Sequence, residues 1–388
     1  MLVTNKQIAI VGGGPGGLTL ARLLQQRGAS VNVYERDAAK DARVQGATID
    51  LHEESALEAL RQAGLLDEFY KNYRPGAGKL RVVDKDTRVY LDDHDSGEYT
   101  EDRPEIDRGP LRDLLVASLR PDTVIWNSHF IGMTAVAGGW ELQFKNGVTA
   151  QAAIVIAADG ARSKIRPYLT PIQPIYSGIT IIEGNVYQAE QRAPALYELV
   201  KGGKIFALSD EKTLILSAKG DGSLSFYTGC KVAEDWTRRS GINFDDRAQV
   251  QEWFQREFGA WNPVWQELVD SHDAWFIARP QYHFPPDQRW TTLTNLTMIG
   301  DAAHRMPPYA GEGVNMAMLD ALDLAQCLTG DFPDVASAMA TFETRMLTRA
   351  ADVTNVTLRQ TEALHAPDGL DRLLTLFDSF STEQGLPV

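Results

Sequence analysis

Apolar residues near the start of the chain first form a short unbroken run, Gln7–Val11. They then recur at helical spacing between Gly16 and Arg27 (Leu18, Ala21, Leu24), and form a second short run at Ser30–Tyr34. A continuous Ile/Val run suits a parallel strand buried on both faces, and the change to a helical period predicts a helix that Gly28 closes. A βαβ unit is therefore expected at the N-terminus. Further helices are expected over Glu54–Ala63, closed by Gly64, and where Pro110 sits in a first turn ahead of Leu111, Leu114, Leu115 and Leu119. Between Gln173 and Lys231 the pattern shortens to runs such as ITIIEGNVY, GKIFALS, TLILSAK and SLSFYTG, separated by Gly, Asp and Lys. Runs of this kind predict a mostly antiparallel sheet, a second layer that would wall a cavity. A helix at Gln249–Phe258 and a buried strand at Leu296–Gly300 follow. The pattern then reads as helix over Val314–Thr329 and Val335–His365, the latter with Arg and Thr on its exposed side.

Composition narrows the function classes. The chain has 388 residues, 44% apolar and 23% charged, with 38 Lys+Arg against 52 Asp+Glu and a net charge of −14. Such an acidic protein repels phosphate backbones and anionic lipid, so neither nucleic acid nor a membrane surface is an expected partner. No apolar run approaches the roughly 18 residues of a spanning helix, and the N-terminal residues do not read as a secretory signal. The two cysteines, Cys230 and Cys327, form no disulfide framework and have no metal-ligand spacing, so ordinary buried thiols and no metal are expected. A cytoplasmic, small-molecule protein is the expectation.

Three segments carry chemistry. Gly12-Gly13-Gly14-Pro15-Gly16-Gly17 satisfies G-x-G-x-x-G, follows a predicted strand, opens a predicted helix and leads to Glu35 at the end of the next strand. In that context Gly12 makes the tight turn, Gly14 admits a pyrophosphate and Gly17 lets helix pack on strand, while the helix start favours phosphate. Glu35 would accept hydrogen bonds from an adenosine ribose, which favours FAD or NAD over NADP in this site. The second segment, IVIAADGARSKIRP, ends an apolar strand at Asp159-Gly160; as a turn alone it is common punctuation. The third, Met298 to Asn315, runs strand, Gly300-Asp301, Pro307-Pro308 and a glycine-led helix start at Gly311-Glu312-Gly313-Val314-Asn315. That order suits a polar ligand held at a helix N-terminus.

Together, in this order and spacing, the three segments resemble the fingerprints of the class A, single-component FAD-dependent aromatic hydroxylases. Stretches such as LARLLQQRGASVNVYERD, TIDLH, RPEIDRGPLRDLL and MIGDAAHRMPPYAGEGVNMAMLDAL are similar to the tetracycline-inactivating members. The resemblance implies an α/β architecture. A discontinuous, Rossmann-like FAD-binding domain would comprise residues 1–170 and 295–330, a β-sheet substrate domain residues 171–294, and C-terminal bracing helices residues 331–388. It implies that Gly12, Gly14, Pro15, Gly16 and Gly17 line the FAD pyrophosphate, that Glu35 holds the ribose, and that Arg36 lies beside the adenine. Arg108 or Arg112 would reach the phosphate or ribityl region, and Asp301 the ribityl chain. Pro308, Gly311, Gly313, Val314 and Asn315 would sit at the flavin ring with Arg43 near it, and Asp159 would contact FAD and nicotinamide. FAD is expected to be non-covalent and NAD(P)H a transient co-substrate, NADPH for preference. No side chain is expected to be catalytic, because the cofactor carries the hard step.

The implied reaction is oxygen insertion from O2 into a polycyclic phenol, a tetracycline-type antibiotic in particular, by a monomer. Where tetracycline-inactivating members carry Gln, Arg and His, the resemblance places Glu183, Lys204 and Ser225, and Phe206, Tyr227 and Tyr309 would complete the substrate lining. Lys204 keeps the charge without the bidentate fork, and a buried Glu183 would repel an anionic substrate unless paired. Alternatives are another aromatic or polyketide hydroxylase, a flavin oxidase or reductase on the same fold, and a flavin-binding sensor or sequestering protein. A flavin halogenase would be expected to carry W-x-W, which the chain lacks.

Overall fold

The computed structural model describes residues 2–42, 47–95 and 101–383; Arg43 lies outside the described residues. Five short strands form an all-parallel sheet in the lateral order Leu296–Met298, Ile154–Ala157, Gln7–Val11, Ser30–Tyr34, Val124–Ile125. Ile8, Ile10, Val155 and Ile156 are fully enclosed, as their continuous apolar runs require. The helix Pro15–Gln26 packs against the helix Gly313–Thr329, which in turn packs on the helix Val335–Leu364. The three fingerprint segments thus leave neighbouring strands at the same end of one sheet. In open α/β sheets that carboxyl end is where ligands bind.

The second layer is a seven-stranded sheet, ordered Trp275–His283, Ile175–Val186, Leu224–Lys231, Lys212–Ala218, Lys204–Ser209, Leu80–Val83, Val89–Asp92. Alternation along its strands separates two faces. Ile205, Ala207, Leu214, Leu216 and Phe226 point to a core completed by Trp253, Phe254, Phe258 and Trp265. On the other face Phe206, Ile215, Tyr227 and Glu183 stand in one cross-strand row, and Lys204 and Ser217 in the next. That face looks toward the nucleotide-type sheet, with the cavity between them.

Two parts of this sheet escape the sequence reading. Leu80–Val83 and Val89–Asp92 come from chain assigned to the first domain; Leu80–Val83 pairs in parallel with Lys204–Ser209, and so covers what would otherwise be an open edge. Trp275–His283, a stretch for which the pattern predicted no element, is an edge strand, the position in a sheet that tolerates its Pro280. The segment Glu54–Ala63 also departs from a plain helix. Glu53–Leu57 is a π-type turn before the α-helix Glu58–Gln62. Its entry is pinned to the neighbouring helix, since His52 N–H and Ser55 Oγ both donate to Asn315 Oδ1 (2.9 and 3.3 Å). Among the described residues no helix is long and apolar enough to cross a membrane.

Candidate active site

The phosphate turn is built by close approach of three backbone segments. Gly12 has φ +115°, and a Cβ there would lie 2.1 Å from the carbonyl oxygen of Ala158; one at Gly17 would lie 2.2 Å from that of Gly12. Only glycine permits these contacts, whereas Gly14 faces open space, the side on which a phosphate can reach backbone N–H groups. Glu35 is buried at the tip of the next strand. Its Oε2 accepts from Gly13 N–H (2.6 Å) and its Oε1 from Asp37 N–H (2.9 Å), which fixes the carboxylate beside the glycine turn. Arg36 and Arg108 line the same groove. Arg112 does not: its guanidinium turns to Asp37 (3.0 Å) and over the Trp126 ring, and so braces the turn from behind.

The Gly300-Asp301 corner is held by a network the sequence did not reveal. Gly300 has φ +59°, and its N–H donates to Asp320 Oδ2 (2.9 Å), which also meets His304 Nε2 (2.5 Å); Arg349 bonds Asp320 Oδ1 (2.9 Å). Burial raises the Asp320 pKa, but the charge and hydrogen bond of His304, with Arg349, hold its carboxyl below the usual range. His304 is correspondingly raised, the Asp320 charge overcoming its own burial. Asp301 itself opens to the groove and makes no hydrogen bond to a described residue. Desolvation by the surrounding groove walls raises its pKa, opposed by the charges of His304, Arg305 and Arg108. Arg166, at the end of the Asp159-Gly160 segment, ties the second fingerprint to the third. It donates to the carbonyls of Ala302 and Ala303 (3.0 and 2.9 Å) and stacks 3.4 Å from the Phe284 ring centroid. Asp159 accepts from Lys164 N–H (2.8 Å) and lines the groove.

At the ring end, Pro308, Gly311, Gly313 and Val314 line the cavity. Asn315 does not, because its amide is used to donate to the Asp50 carbonyl (3.0 Å) and accept from His52. This stitch gathers carboxylates that sequence reasoning missed. His52 Nε2 lies 3.0 Å from Asp50 and its Nδ1 lies 3.5 Å from Glu312, with Arg103 3.7 Å from Asp50. Burial would raise Asp50, yet the His52 hydrogen bond and the charges of Lys204, His52 and Arg103 bring it down to about 2. TIDLH was legible as a motif, but its partner Glu312 is 260 positions away from His52 (312 − 52), and no local pattern links them.

On the sheet face, Glu183, Lys204, Phe206, Tyr227 and Tyr309 all line the cavity. Both charged groups are paired: Lys204 Nζ with the buried Glu105, and Glu183 with Arg279 Nε. Ser225 does not reach the cavity. It is enclosed in the row of Ser217 and Asn185, with no hydrogen-bond partner for its Oγ among the described residues. Tyr309 Oη sits beside Thr213 Oγ1 (3.4 Å) and His365 Nε2 (3.3 Å) over Gly229, and burial raises its phenol pKa. Cys230 is a buried thiol pushed up to about 12 by its surroundings, which leaves it protonated.

Nucleotide groove and sheet face join in one cavity of about 2000 Å³. A single small-ligand pocket is usually roughly 300–1,000 Å³, so this space suits a dinucleotide with a second ligand beside its ring. The open face at Gly14, the prepositioned Glu35 and the uncommitted Asp301 fit the pyrophosphate, ribose and ribityl groups of FAD. Residues 5–356 match the FAD binding domain family, and the chain belongs to it, among the class A FAD-dependent aromatic monooxygenases. It is 30% identical over 343 residues to the 6-hydroxynicotinate 3-monooxygenase of Pseudomonas fluorescens, covering 84% of this chain and 83% of that protein. In fold it is similar to 2,6-dihydroxypyridine-3-hydroxylase from Arthrobacter nicotinovorans (TM-score 0.78, 22% identity, 93% of each chain). It is also similar to the tetracycline destructase Tet(55) (TM-score 0.75, 20% identity, 95% of this chain and 92% of that one). The protein is therefore an FAD-dependent oxidoreductase of a family that typically takes NAD(P)H as co-substrate.

Proposed function

We propose that the protein inserts one oxygen atom of O2 into an electron-rich carbon of a polycyclic phenolic compound, with NADPH as reductant and a tetracycline-type antibiotic as the specific candidate. The observation that carries this reading is the continuity of the FAD groove with a donor-bearing sheet face in one cavity large enough for both ligands. FAD, when bound, supplies hydride acceptance and oxygen activation. The chain's own part is to hold and orient. Gly12 to Gly17 and Glu35 would fix the adenosine diphosphate end, Asp301 and Arg108 the ribityl region, and Pro308 to Val314 the ring edge, where the helix Gly313–Thr329 presents its positive end. Tyr227, Phe206 and Tyr309 would set the substrate against the ring. The helix Gly369–Glu383, with Leu373 and Phe377 on the sheet-side cluster, would exclude water from the cavity.

A second reading, a single-ring substrate, is favoured by relatives named for 6-hydroxynicotinate and 3-amino-4-hydroxybenzoate. One experiment separates the two. NADPH consumption is followed with tetracycline, with polycyclic phenols and with single-ring hydroxy acids, and products are weighed by mass spectrometry. A tetracycline product heavier by one oxygen supports the first reading. Stimulation and oxygen gain confined to single-ring compounds overturns it in favour of the second.

A further inference from the structure

We infer that Arg279, held in place by Glu183, recognises an ionised oxygen on the substrate, with the Tyr227 hydroxyl donating beside it. This rests on the monooxygenase reading above and names the charge state of what that site takes. Neither the sequence pattern nor the fingerprints point to Arg279, which lies on an edge strand interrupted by Pro280.

Glu183 and Tyr227 face each other directly across paired strands, and Arg279 reaches Glu183 diagonally from the adjoining strand. The Glu183 side chain is only 4% exposed, while that of Arg279 is 44% exposed and lines the cavity. The carboxylate is therefore covered by the guanidinium, and the charge presented to a ligand is positive. Arg279 spends Nε on Glu183; its terminal nitrogens make no hydrogen bond to a described residue, which leaves the end of the planar fork for an oxyanion. Tyr227 Oη accepts from Ala47 N–H (3.0 Å), so its own hydrogen remains to donate. Lys204 does not compete, because Glu105 already meets its charge. The wall thus offers donors where Glu183 alone would have offered repulsion. A phenolate, an enolate or a carboxylate shares the delocalised oxyanion that this arrangement fits.

Calorimetric titration of the FAD-loaded protein, without NADPH, reads binding independently of turnover. Naphthoate against naphthamide tests the carboxylate source. A dinitronaphthol, ionised at neutral pH, against its methyl ether tests the phenolate source. The unmodified protein is expected to prefer the ionised member of at least one pair by roughly 10-fold or more. Arg279→Gln alone would strand a buried carboxylate, so the variant is also made as Glu183→Gln/Arg279→Gln, which keeps the wall neutral. In that double variant the ionised ligand should lose about 10-fold in affinity while its neutral partner changes by less than about 3-fold. Arg279→Lys, retaining charge without the fork, should fall between. Flavin content and flavin absorbance report whether each variant is folded. No preference for either ionised ligand in the unmodified protein overturns the inference, as does an equal loss for ionised and neutral ligands in the double variant. Failure of the monooxygenase reading is distinguishable: it would show as ligand binding with no oxygen incorporated when NADPH is added.

Discussion

Glu35 is held by two backbone N–H groups before any ribose arrives, so its carboxylate does not have to be ordered on binding. Glu35→Ala should weaken FAD by about 1.5–3 kcal/mol, the range for hydrogen bonds to a charged group, measured as the FAD dissociation constant. Asp301→Ala should lose flavin too, and full affinity in either variant would remove that residue from the site. Asp50 makes a different prediction. Its folded pKa of about 2 lies below its unfolded value of 3.8, so its ionised form contributes stability above the unfolded pKa. That contribution is lost as pH falls through the folded pKa, so the relevant window runs from near pH 4 down to pH 2. Asp50→Asn should therefore cost about 2 kcal/mol at neutral pH and almost nothing at the acid end of that window, read from denaturant unfolding of both proteins. A pH-independent difference would show that the His52, Lys204 and Arg103 charges do not act on it.

The long helix Val335–Leu364 was legible as an element, but its role was not. Its Thr and Arg residues were expected on an exposed side, yet Thr354, Thr357 and Thr361 are buried. Thr357 Oγ1 accepts from Ala310 N–H and donates to the Pro307 carbonyl (3.1 Å each), clamping the loop that leads to the ring edge. Glu343 accepts from Thr292 and Thr297 (2.5 and 2.7 Å), and Arg349 reaches the Asp320 that positions Gly300. Such contacts depend on which face of the helix meets the core, and threonines alone do not declare it. Truncation before Val335 should give insoluble or flavin-free protein. Thr357→Val should loosen the loop and weaken FAD, while Thr357→Ser, which keeps the hydroxyl, should restore it. Equal FAD dissociation constants for Val and Ser would contradict the clamp.

At the scale of the molecule, the cofactor half was readable because each of its parts is contiguous. A strand, a glycine turn and a helix start lie within a few residues, and the acid follows one strand later. The substrate half was less so, because its chemistry is made by register. Glu183 acquires its meaning from Arg279, Lys204 from Glu105, and His52 from Glu312, and each pair joins segments roughly a hundred or more positions apart. Ser225 shares the cavity-facing parity of Tyr227 but ends enclosed in a row behind it, so strand alternation alone does not decide which side chains reach the ligand. What joins the halves is the single cavity, and the central claim is that flavin chemistry at one end oxygenates a ring held at the other. The most direct test is a single reaction of purified, FAD-loaded protein with NADPH, isotopically labelled O2 and a panel of phenolic substrates, with product mass as the readout. A product carrying one labelled oxygen, formed in step with NADPH consumed, is the predicted result. NADPH consumption that yields only hydrogen peroxide across the panel, with no labelled product, would contradict it.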